Sequence, residues 1–60
     1  MGTTLWYAVV WSRQQRQFII EEHLGYDYDS EKEYWGGNAK FFSTNKAEAE
    51  ACCLRCNNSL

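Results

Sequence analysis

Cys52, Cys53 and Cys56 stand together near the end of the chain, and Cys53-x-x-Cys56 has the spacing of half a tetrahedral zinc site. His23, the only histidine, could add a nitrogen ligand, but four ligands would require Cys52 or a second subunit. A redox pair is the other reactive reading. Such pairs sit at a helix N-terminus, where the dipole favours thiolate, whereas these thiols fall near a helix C-terminus. Buried thiols acting as small hydrophobes are therefore the preferred reading, with no metal and no cofactor expected. His23 follows Glu21 and Glu22, which suits a general acid or base, yet no motif places a nucleophile beside it. No catalytic residue is assigned, and enzymatic activity is not expected.

A second group of residues could do recognition chemistry. Between Glu21 and Glu33 there are six acids, opposed only by Lys32. Tyr26, Tyr28, Tyr34 and Trp35 are interleaved with Asp27, Asp29, Glu31 and Glu33. The order of the acids does not fit an EF-hand calcium loop. Aromatic side chains offer contact area at low entropic cost, and carboxylates steer a basic target. These eight residues form the expected partner-binding surface. Arg13, Arg16 and Arg55 are too few for a phosphate groove in one chain, although doubled by symmetry they could cradle a small nucleotide against tryptophans.

The elements that must position these groups can be read from hydrophobic period and turn chemistry. Thr3–Trp11 alternates as a strand with Leu5, Tyr7, Val9 and Trp11 on one side and Trp6, Ala8 and Val10 on the other. Both sides are apolar, so both need cover. A polar link at Ser12–Gln15, four or five residues long, leads to a second strand over Arg16–His23, giving an antiparallel hairpin. Gly25–Asn38 reads as a long exposed loop or extended arm. Ala39–Thr44 is a short third strand. Asn45 then caps a helix, with Glu48 in the capping-box position and Asn57-Asn58 ending it. That helix has two stripes, Ala47, Ala51 and Leu54 on one side and Ala49, Cys52, Cys53 and Cys56 on the other, and either can face the sheet.

Sixty residues form one domain, too small for a cofactor domain beside a substrate domain. A chain of this length buries only about 60% of its unfolded surface, so a partner is a natural supplement to its core. The formal charge of −2 disfavours a general nucleic-acid or membrane-surface binder. Three clustered cysteines do not make a disulfide framework, and the opening Met1–Val10 carries neither a basic n-region nor a membrane-length apolar run. A cytoplasmic location is expected.

The run Phe41-Phe42-Ser43-Thr44-Asn45-Lys46-Ala47-Glu48-Ala49-Glu50-Ala51 resembles the strand–turn–helix ending of small β-β-β-α modules, such as the arm-binding domain of phage-type integrases. In that family the sheet enters DNA grooves and is basic, while this chain is acidic through its middle. In size, charge and absence of catalytic motifs the chain also resembles small phage-encoded anti-defence inhibitors of the anti-CRISPR kind. That resemblance implies a compact inhibitor, often dimeric, acting on a host protein in the host cytoplasm.

The sequence thus predicts an α+β domain over residues 1–60, with a three-stranded antiparallel sheet and one C-terminal helix. It predicts homodimerisation through the first strand, the helix or both, with Trp6, Val10, Trp11, Cys52, Cys53 and Cys56 at the interface. The expected function is non-enzymatic inhibition of a host protein through the acidic-aromatic segment. The alternatives are a sponge that holds a nucleotide signal between subunits, or a small DNA-binding sheet.

Overall fold

The apolar strand expected at the start of the chain is the centre of the molecule. A computed structural model describes residues 2–60 and places β1 (Thr4–Ser12) between β2 (Gln17–Gly25) and β3 (Ala39–Ser43) in a fully antiparallel sheet of order β2-β1-β3. The expected α+β class and three-stranded antiparallel sheet are present. The hairpin joining β1 to β2 is closed by the four residues Arg13–Arg16. Arg16 holds a left-handed backbone (φ 55°), as one residue of such a loop commonly does. β1 and β2 pair along their full length, from Thr4 opposite Gly25 to Ser12 opposite Gln17. β3 reaches only Tyr7–Val10, with a bulge at Val9/Val10, so the hairpin projects past it at both ends. The molecule is accordingly long, 39 × 21 × 16 Å.

Strand alternation separates two faces. Trp6, Ala8 and Val10 share one face with Ile19, Glu21 and His23 of β2 and with Phe42 of β3. Leu5, Tyr7, Val9 and Trp11 share the other with Phe18, Ile20 and Phe41. Each face has its own cover. A helix absent from the sequence-based expectation, α1 (Tyr28–Trp35), lies over the first face and inserts Trp35 against Ala8 and Val10. The second, α2 (Lys46–Asn58), crosses the opposite face and touches all three strands.

The segment predicted as an exposed loop is therefore helical over eight residues, and the described residues form two helices rather than one. Its start and stop are built from local chemistry. The Asp27 carboxylate accepts the Ser30 N–H (2.8 Å), Asp29 and Glu31 lie in the first turn, and Gly36 (φ 58°) closes the helix by donating its N–H to Lys32 O. The Ser30 backbone N–H, helped by its hydroxyl, holds the Asp27 carboxyl below the usual range. α2 begins as expected, with the Asn45 side chain accepting the Glu48 N–H at 3.3 Å. Its capping box is relayed. Ser43 Oγ accepts the Asn45 N–H and donates to the Glu48 carboxylate.

The two covers change the argument for pairing. Trp6 and Val10, expected at a dimer interface, are buried inside their own chain beneath α1. The cysteine stripe of α2, also expected at an interface, turns toward the sheet together with the wholly buried Ala49. Ala47, Ala51 and Leu54 face outward instead. Small side chains at Ala49, Cys52 and Cys53 let the helix approach the sheet closely, which the branched Leu54 would prevent. Of the six expected interface residues, only Trp11 is largely exposed.

Candidate functional site: an acidic-aromatic helix on a buried Glu–His anchor

α1 presents two kinds of side chain. Glu31 and Trp35, one turn apart, point inward and are buried. They do not belong to the accessible surface proposed from the sequence. Glu31 is fully enclosed, and both its oxygens are used: Oε2 lies 2.6 Å from His23 Nδ1 on β2, and Oε1 accepts the Trp35 Nε1–H at 3.3 Å. A carboxylate without solvent must be satisfied in this way, since an unpaired buried charge is far too costly. Gly25, at the end of β2, is where the carboxylate rests. A β-carbon there would collide with the Glu31 side chain, so the position admits only glycine without movement.

Tyr34 and Trp35 are held by the same anchor. Tyr34 stacks on His23 with centroids 3.7 Å apart and planes within 12°. Trp35 meets Tyr34 edge-on at 4.9 Å and His23 at 6.1 Å. At the other end of α1, Tyr28 lies tilted on Phe42 at 4.9 Å, and Phe42 in turn meets Trp6 at 6.0 Å. Tyr28 and Tyr34 each have one packed ring face yet remain 58% exposed, and Tyr26 is 69% exposed. Around them Asp27, Asp29 and Glu33 are exposed, as is Glu21 on the same face of neighbouring β2. Six of the eight residues expected to bind a partner are thus exposed on or beside α1, with Tyr28 on its β3 side and Tyr34 on its β2 side. Pre-positioned rings lose little freedom on binding.

The residues weighed as a zinc site are not brought together. His23 lies on the α1 face of the sheet, bonded to Glu31, whereas Cys53 lies on the α2 face and donates to Phe18 O at 3.3 Å. Among the described residues no cluster of three metal-ligating side chains is present. Burial, with Cys56 nearby adding to it, pushes the Cys52 and Cys53 thiols up from the ordinary thiol range. The described residues bonded to His23 include no hydroxyl or thiol nucleophile.

Sequence reasoning missed two features. The Glu31–His23 pair spans eight positions on two elements, and only the packing of α1 on the sheet joins them. Asn57, expected only as a helix terminator, is the second. Its side chain accepts the Phe18 N–H (2.7 Å) and donates to Phe18 O (3.0 Å), taking the place of a neighbouring strand along the edge strand β2. Trp6 Nε1 is buried without a hydrogen-bond partner among the described residues.

The fold and site define a small α+β domain with an acidic-aromatic helix displayed on a sheet. Comparison takes the assignment no further: the chain matches no protein-family model, no curated protein and no solved structure. No described helix is long and apolar enough to cross a membrane.

Proposed function

We propose that the chain is a non-enzymatic binding protein that docks the outer face of α1 on a basic surface of another protein and acts by occupying it. The observation that carries this reading is the juxtaposition of Tyr26, Tyr28 and Tyr34, exposed and in part packed from behind, with the exposed Asp27, Asp29 and Glu33. Exposed aromatic area of this kind is a liability unless it is used. Surrounding it with acids gives electrostatic steering and selects against acidic partners. A role as a phage inhibitor of a bacterial defence protein accords with this mode of action. The histidine–glutamate pair supports it as an anchor, since Glu31 is committed to two neighbours.

The test is cross-linking capture from a bacterial host lysate with the native protein and with Asp29→Lys/Glu33→Lys, which leaves Glu31 intact. A specific basic protein should be captured by the first and lost with the second, and capture should weaken as salt rises toward about 0.5 M. Capture indifferent to both charge reversal and salt would refute the reading.

For self-association the outward Ala47, Ala51 and Leu54 of α2 offer a candidate surface, and Trp11 stays exposed on β1. Light scattering decides it. A two-chain mass that falls to one chain in Leu54→Lys supports pairing through α2, and a one-chain mass for both proteins removes it.

A further inference from the structure

The charges of the chain are sorted along its length. The end formed by the hairpin loop, the start of β3 and the C-terminal turns of α2 carries Arg13, Arg16, Lys40 and Arg55. No acidic side chain occurs in Ser12–Ile20, Gly36–Phe42 or Ala51–Leu60. All eight acids belong to the rest of the molecule. The formal charge of −2 therefore hides two poles, and α1 lies on the negative one. Between the hairpin and α2, at the positive pole, is an open groove of about 320 Å³ lined by Phe18, Lys40, Arg55, Cys56, Ser59 and Leu60. Neither Lys40 nor Arg55 has an acidic partner among the described residues. The Phe18 backbone is held by Asn57 and Cys53, its side chain lines the groove, and the half-exposed Trp11 indole meets its ring edge-on at 5.1 Å.

We propose that this groove is a second binding site, for a nucleotide, with the phosphate on Lys40 and Arg55 and the base against Phe18 beside Trp11. The volume lies at the small end of ligand sites, which suits one nucleotide and little more. Two cations supply a bidentate fork and a point charge for phosphate oxygens. An aromatic platform accepts any base through its π-face. Ser59 takes no part in holding the phosphate, because its hydroxyl already donates to Arg55 O. Free mononucleotide and an exposed nucleotide of a single strand share this chemistry, and binding here is independent of the α1 surface.

The full chain is titrated with AMP, with a thymidine decamer and with inorganic phosphate, following total tryptophan emission and amide NMR shifts. AMP or the decamer should saturate the groove and shift Phe18, Lys40 and Arg55. Lys40→Glu and Arg55→Glu, checked for native circular dichroism, should each weaken binding about tenfold or more. Asp29→Lys/Glu33→Lys should leave it within about twofold, so that failure of this site and failure of the α1 surface are told apart. Tighter binding of the decamer, with the steeper salt dependence of several phosphates, assigns the site to single strands; equal or tighter binding of AMP assigns it to the free nucleotide. The proposal is overturned if inorganic phosphate binds as tightly as both, if no probe saturates at about 10 mM, or if the charge-reversal variants bind unchanged.

Discussion

Removing the Glu31 carboxylate tests the anchor beneath the proposed binding helix. In Glu31→Ala the Trp35 Nε1–H loses its acceptor inside the protein, His23 loses its partner, and a void opens against Gly25. Truncating one member of a buried pair typically costs about 3–5 kcal/mol. His23 keeps 27% of its side chain exposed and can turn to water, so the lower figure applies, about 3 kcal/mol. A domain of this size has a total stability of roughly 3–9 kcal/mol, so the variant should be marginal. Glu31→Gln keeps the shape. Its amide oxygen accepts from Trp35 and its NH₂ donates to the other tautomer of His23, for a cost of about 1 kcal/mol. The decisive measurement is a double-mutant cycle by urea unfolding with Gly25→Ala. Alone, Gly25→Ala should destabilise, because its β-carbon meets the Glu31 side chain. In the Glu31→Ala background that penalty should vanish, giving a coupling of about 1 kcal/mol or more. Additive costs, or a Glu31→Ala penalty below about 1 kcal/mol, would refute the enclosed, doubly bonded carboxylate.

Other outcomes follow from single contacts. Asn57→Ala strands the Phe18 N–H and leaves Phe18 O only the Cys53 thiol, and should cost about 1–3 kcal/mol in urea unfolding, with faster amide exchange at Phe18; an unchanged midpoint would show that water replaces the amide. Trp6→Phe deletes a buried N–H that has no acceptor among the described residues, so its stability should stay within about 1 kcal/mol of the parent despite the lost volume. A larger loss would mean that the indole N–H is satisfied. Iodoacetamide should label Cys52 and Cys53 more slowly in the folded protein than in urea at neutral pH, as raised thiols hold less thiolate. Because their folded values lie above the ordinary 9.0, the unfolded thiols ionise first, and stability should fall as pH rises through and beyond 9.0. Equal labelling in both states, or a flat profile there, would count against burial of these thiols.

Much of the architecture was legible because its signals are local. Alternation of β-branched and aromatic residues defines β1, polar residues mark its loop to β2, and the Asn45 cap with Glu48 three positions on starts α2. α1 carried signals too, in Asp27 before an acidic turn and Gly36 after Trp35. They were outweighed by poor helix formers in Tyr28, Asp29, Ser30, Tyr34 and Trp35 and by a weak apolar stripe. Such a helix is stabilised by what it packs against rather than by its own propensity.

From the residues alone came an α+β domain whose central strand must be covered on both sides, and an acidic-aromatic segment able to bind. Tertiary packing decided how that strand is covered. α1 fills the face left open by α2, so Trp6 and Val10 are buried within one chain. It also divided the acids, enclosing Glu31 beside His23 while leaving Asp27, Asp29 and Glu33 in water. Composition assigns one charge to the whole chain, but the fold sets where each charge lies. Carboxylates of the same type become anchor or surface according to whether a hydrogen-bond partner from another element repays their loss of solvent.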